Sequence, residues 1–425
     1  MIRARRPPCI ETARRARHAP PAGATAVVFL YTVVMAGGNL TIPLYSLWAS
    51  QFGFGPVTTT LVFIAYVVGV AGTLLVAGSL SDAIGRRPVL ALALALAALS
   101  TLGFALAEGL PVLLASRVLS GMATGLVTAA ATSSIAEVVP GRKTASVLAT
   151  AANVGGLSLG VIAAGLLAQF APAPTRTVFW CYLAVCAAAG IAWSAVSETA
   201  GSGTRWQPRI RRPAFPSGAG RARSFLASGV LAAAASGVNG FFSSLAPAFL
   251  RDDLGIANLA VIGAGIGTLF AGALLSQVVA PPALLRRDTG TALLVIGVTV
   301  IEAALWIRSA PVFAVGTVLA GAAVGILFRH GLGVTDALCD PGNRAELSAT
   351  YFLFIYSGLT VPVLLLGLVD QAAGTRISST ILAALVICIA LAGLALGQTA
   401  GPAHPHTHTN NTDNTDGESH DRLRK

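Results

Sequence analysis

Charge is scarce in this sequence, so each charged residue within or beside an apolar run is a candidate for chemistry. Asp82, Arg86 and Arg87 fall in GSLSDAIGRRPVL, residues 78–90, between two oily stretches. Gly78 permits close helix contact there and Gly85 a tight turn. Asp82 is placed to neutralise Arg86 or to sit at a helix amino end, where negative charge is favoured. Arg117 lies about six residues inside its apolar run, roughly 9 Å at 1.5 Å per residue. A charge at that depth faces a bundle interior or a watery cavity, unless its stem snorkels to the interface. Glu302, in VIGVTVIEAALW, is the one acid well inside such a run and stands one turn before Trp306. A buried glutamate binds a proton in one state and releases it in another, which makes Glu302 the leading proton site. A solvated interfacial carboxylate is the plainer reading. Asn39 and Asn239 are amides inside runs, suited either to a polar cavity or to interhelical hydrogen bonds.

The elements that must position these residues follow from composition. Of 425 residues, 55% are apolar and 11% charged, against about 25% charged in a soluble protein. A span of the bilayer needs about 20 apolar residues, so twelve spans use roughly 240. Apolar runs lie near residues 25–48, 58–77, 88–107, 111–137, 145–169 and 177–197, then near 225–250, 257–280, 290–307, 311–335, 348–369 and 378–399. Lipid offers backbone groups no water, which forces such runs into helices. The expected fold is an all-α membrane protein of twelve transmembrane helices in two six-helix repeats. It divides into a basic tail (1–23), a first bundle (24–199), a linker (200–224), a second bundle (225–400) and a polar tail (401–425). The linker is rich in Arg, Pro and Gly and cannot pack a core. The first run is too long for a signal peptide's apolar region and reads as a retained span.

Cations are distributed unevenly between the two faces. With twelve spans, 22 of the 28 Lys and Arg fall on the face that carries the linker and both tails, and Arg176, Arg251, Arg308 and Arg376 on the other. Cationic loops resist translocation, so the cation-rich face and both termini are expected in the cytoplasm, with the chain in the plasma membrane. The net charge of +11 is dispersed between oily segments rather than gathered on a folded face, which excludes nucleic acid as a partner. Five scattered cysteines imply neither a disulfide framework nor a metal site. His404, His406 and His408 belong to a polar tail. No cofactor motif and no phosphate-binding G-x-x-x-x-G-K-[ST] loop is present, so the chain is expected to be neither an enzyme nor an ATP-driven pump.

The halves repeat at an offset of 200 residues. PVLLASRVLSGMATG (111–125) and PVFAVGTVLAGAAVG (311–325) share seven of fifteen positions, Gly121 and Gly125 among them. The same shift pairs Asn39 with Asn239 and Arg86-Arg87 with Arg286-Arg287. Duplicated six-helix units that rock about a central site are a transporter design.

Residues 78–90 resemble the major facilitator superfamily, whose loop between its second and third helices follows G-x-L-x-D-x-x-G-R-R. Gly78, Leu80, Asp82, Gly85, Arg86 and Arg87 match that pattern. The resemblance implies a conformational latch between the halves, with Arg86 reaching an acid at the inner end of helix four, where Glu137 stands. Arg117 to Gly125 are similar to the family's R-x-x-x-G element, associated with proton coupling. GLSLGVIAAG (156–165) looks like a weakened antiporter element, with Val161 in place of its proline and Ala164 in place of a glycine. Gly156, Gly160 and Gly165 still suit close helix packing. The expectation is a monomeric secondary transporter that moves a small organic molecule outward by alternating access, in exchange for protons. Proton-coupled nutrient uptake and a non-transporting sensor or scaffold are the alternatives.

Overall fold

The computed structural model describes residues 21–77, 80–194, 213–281, 283–339 and 343–398. Twelve of its helices are long and apolar enough to cross a membrane. They are α1 (Gly23–Phe52), α2 (Pro56–Val76), α3 (Arg86–Ala105), α4 (Leu110–Val138), α5 (Arg142–Phe170) and α6 (Pro174–Ser194), then α7 (Ala219–Ser244), α8 (Leu259–Val279), α9 (Arg287–Ile307), α10 (Ala310–Leu338), α11 (Glu346–Ala373) and α12 (Arg376–Gln398).

Two helices are irregular. The first helical piece of α1 ends at Asn39, and a 3-10 turn, Ile42–Leu44, precedes a second piece. Pro43 lacks the N–H that an unbroken helix would use there. In α5 a π-helical turn covers Ala151–Gly155, an irregularity that frequently marks functional sites. The second bundle also begins earlier than expected. Gly218, at φ +94°, starts α7, so Arg221 and Arg223 are helical rather than linker, and Arg221 donates to the Leu338 carbonyl at 2.7 Å.

The 200-residue repeat holds at the level of contacts. Gly121 of α4 packs on Gly69 of α2, while Gly321 of α10 packs on Leu269 of α8. One turn further, Gly125 meets Thr73 and Gly325 meets Ala273. Every pair is displaced by the same shift, because a missing Cβ in each copy lets the helix backbones approach.

Aromatic rings fill the cation-poor end of the first bundle. Trp48 stacks on Phe104 (5.9 Å) and Phe179 (5.7 Å), joining α1, α3 and α6. Trp48 is 1% exposed, so Trp48→Ala is expected to destabilise the first bundle by about 3–5 kcal/mol. A thermal-unfolding midpoint equal to that of the unmodified protein would refute this packing.

Two seams join the bundles. Along α5 and α8, Gly165 abuts Gly263, the Ser158 hydroxyl donates to the Gly267 carbonyl (2.9 Å), and the Leu259 N–H donates to Gln169 (2.8 Å). Along α2 and α11, Gly367 sits against Thr60, and Phe63 and Val67 pack on Leu359. These contacts gather in the cation-poor halves of the four helices. These contacts bring the two bundles together on that face.

Candidate functional site

The loop motif folds as a short helix, Leu80–Ile84, followed by Gly85 at φ +93°, a left-handed conformation that glycine adopts without strain. Gly78 and the side chain of Asp82 lie outside the described residues. Arg86 forms an ion pair with Glu137 at the end of α4. Arg87 donates to the carbonyl of Ser194 at the end of α6 (3.1 Å). Among the described residues, both arginines thus tie elements of the first bundle together and neither reaches the second. Glu137 is 44% exposed, which limits such a pair to about 1 kcal/mol or less. The pair holds the first turn of α3 against the end of α4.

Arg117 does not snorkel. It is 1% exposed, donates to the Gly38 carbonyl (2.9 Å) and to the Tyr45 hydroxyl, and lies over the rings of Tyr45 and Tyr66 (5.2 and 5.4 Å). The Gly38 carbonyl belongs to the broken end of α1's first piece, where orphan carbonyls and the helix dipole favour a cation. Arg117 is thereby the cap of that break.

Asn39 and Asn239 differ despite their matched positions. Asn39 donates to the Leu157 carbonyl of α5 (3.3 Å), an interhelical bond. Asn239 keeps a buried side-chain oxygen with no partner among the described residues. The glycines act in packing: Gly156 and Gly160 bring α5 against Thr32 and Ala36 of α1, and Gly165 brings it against α8.

Glu302 stands beside Trp306 near the cation-poor end of α9. It accepts from Trp306 (2.9 Å) and from Thr380 of α12 (2.5 Å), so it occupies the seam between α9 and α12 near their cation-poor ends. Close by, in the connection between α7 and α8, burial pushes the Asp253 carboxyl above the usual carboxylate range, and Arg376, 3.8 Å away, pulls it back.

What does gather between the bundles is a set of neutral polar groups. Tyr31 of α1 accepts a hydrogen bond from Asn153 (2.6 Å), which the π-helical turn of α5 presents, and its phenol also interacts with Thr128 and Thr132 of α4. Tyr66 of α2 pairs with Thr124. Tyr356 of α11 comes from the opposite bundle, with its phenol in electrostatic reach of those of Tyr66 and Tyr31. Four helices of one bundle and one of the other thus converge on three phenols below the closed seam. Such a cluster offers hydrogen bonds and aromatic faces and no fixed negative charge. It is absent from the readings above, yet it carries a signal: interfacial tyrosines mark span ends, whereas these three stand in mid-span, where a buried phenol requires a partner.

Comparison with known proteins came to the same architecture. The family model of the Major Facilitator Superfamily matches residues 27–361. An uncharacterised MFS-type transporter of Mycobacterium tuberculosis is 31% identical over 144 residues, 33% of this chain and 24% of that relative. The chain therefore spans about a quarter of that relative's length. A bacterial homologue of the human lysosomal transporter Spinster, solved inward-facing and unoccupied, superposes with a TM-score of 0.71 at 15% identity, covering 90% of this chain and 98% of that one. A POT family transporter in complex with 5-aminolevulinic acid gives 0.71 at 12% identity over 91% and 97%. The human organic anion transporter MFSD10 gives 0.60 at 18% identity over 88% and 100%.

Proposed function

The chain belongs to the major facilitator superfamily of membrane transporters, and from that premise we propose that it carries a small organic molecule across the plasma membrane by alternating access. The observation that carries this reading is the tyrosine cluster that both bundles contribute to, beside the α5–α8 and α2–α11 contacts that join them. Solute enters from the cation-rich side, binds among Tyr31, Tyr66 and Tyr356, and leaves when the seams part and the opposite ends meet. The cation bias supports a cytoplasmic position for the cation-rich face. Both bundles lie in one chain and complete the cleft between them, which supports a monomer.

The chemistry of the lining favours a solute with an aromatic or hydroxyl-bearing body. Removal of one hydrogen bond of typical worth lowers binding about two- to tenfold. Tyr356→Phe is thus expected to raise KM by that factor and leave folding unchanged. An unaltered KM across hydrophobic drugs, amino acids and sugars would take the cluster out of the site.

Outward movement in exchange for protons is supported by Arg117 in its R-x-x-x-G setting; Glu302 gives this coupling no support from the α9–α12 seam. Reconstituted vesicles test the sign. Exchange drives accumulation when the vesicle lumen is the more acidic side, because protons leave as solute enters. Accumulation only with an alkaline lumen would establish proton-coupled uptake instead.

A further inference from the structure

A second site lies away from the cleft. Between α3 and α6 runs an apolar groove of about 680 Å3, floored by small side chains such as Ala91, Ala95 and Gly190 and ending in Arg87 and Trp193. From Arg87 to Ala98 it follows α3 for about 11 residues, roughly 17 Å at 1.5 Å each. Half of a hydrocarbon core of about 30 Å is about 15 Å. The groove therefore has the length of one leaflet, counted from the cation-rich face.

Its polar end is built for an anion. Trp193 is 7% exposed and lines the groove, and among the described residues its buried Nε1–H has no acceptor. A buried indole N–H without a partner calls for an acceptor from a ligand. Arg87 stands in the first turn of a 20-residue helix whose amino end no side chain caps, so backbone N–H groups and the helix dipole add to its charge. Glu137 takes Arg86, and among the described residues no carboxylate pairs with Arg87.

From these features we infer that the α3–α6 groove binds an anionic phospholipid of the leaflet at the cation-rich face. One acyl chain lies along Ala91, Ala95 and Gly190, and the phosphate meets Arg87 and the Trp193 N–H. The lipid would bridge the first turn of α3 and the end of α6, the two elements that Arg87 already links through Ser194.

Native mass spectrometry of the purified full chain tests this with phosphatidylglycerol and phosphatidylcholine of identical acyl chains. The unmodified protein should retain phosphatidylglycerol about fivefold better, the size set by one basic side chain at an anionic membrane surface. Arg87→Gln should erase that preference and leave phosphatidylcholine binding as it was. Trp193→Phe keeps an aromatic ring at the site while removing the N–H donor and part of the ring, so it should weaken both lipids' retention. Gly190→Leu, whose new side chain fills the groove where Leu94 is the nearest neighbour at 3.6 Å, should lower retention of both. Equal retention of the two lipids by the unmodified protein would overturn the inference. So would a preference that survives Arg87→Gln, or Trp193→Phe and Gly190→Leu variants that bind like the parent. Displacement of phosphatidylglycerol by millimolar inorganic phosphate would reassign the site to a free anion and overturn it equally.

Discussion

Replacing Arg117 by alanine is expected to abolish transport and to lower stability by about 2–4 kcal/mol, the combined scale of an emptied buried volume and an unsatisfied carbonyl. The side chain is 1% exposed and fills the space among Tyr45, Tyr66 and Phe104. Its loss leaves the Gly38 carbonyl, at the break of α1, without its 2.9 Å donor. Relief from burying a charge offsets part of this, since an isolated charge in an apolar interior is costly. Packing and the freed carbonyl outweigh that relief, because four surrounding groups are shaped to the guanidinium. Lysine should not restore function: its ammonium is a point donor, whereas Gly38 and Tyr45 are met by the two arms of a planar fork. Thermal unfolding and transport measured together separate two roles. A cap for α1 loses both; a proton-coupling residue alone loses transport at full stability.

Gly165→Leu is expected to force the cation-poor face open. A Cβ at this position would stand 2.6 Å from the Leu259 carbonyl oxygen and 2.9 Å from the Gly263 Cα, both backbone atoms of α8. Neither can step aside as a flexible side chain would, so α5 and α8 must separate. Overpacking of this kind costs about 1–3 kcal/mol, which shifts the balance between two conformers by about 5–150-fold. A cysteine at buried Leu259 should then react with a membrane-impermeant thiol reagent faster by such a factor, and transport should stall because the closed conformer is lost. Unchanged thiol reactivity would mean that this seam does not close the protein.

The amino-acid sequence discloses depth along a helix better than direction around it. Twelve spans, the repeat and the loop motif were legible because length, offset and residue order are one-dimensional properties. Arg117 was placed at the right depth for the same reason, at 1.5 Å per residue. The role of Glu302 depends instead on which neighbours its helix face meets. In a soluble helix an apolar stripe discloses that face. In a membrane both lipid and helix partners are apolar, and the stripe vanishes. The same blindness hid the convergence of Tyr31, Tyr66 and Tyr356 from three separate helices. Asn39 and Asn239 show the reverse limit: a repeat predicts equivalent positions, yet only Asn39 bonds to α5.

Spin-label distances across both faces test the central claim most directly. With the five native cysteines replaced, one label pair at Phe170 and Val261 spans the cation-poor face and another at Ile84 and Leu284 spans the cation-rich face; all four residues are exposed. In vesicles, addition of a transported solute should lengthen the first distance in the same fraction of molecules in which the second shortens. Two faces that open together, or an Ile84–Leu284 distance that stays fixed while the other moves, would contradict alternating access.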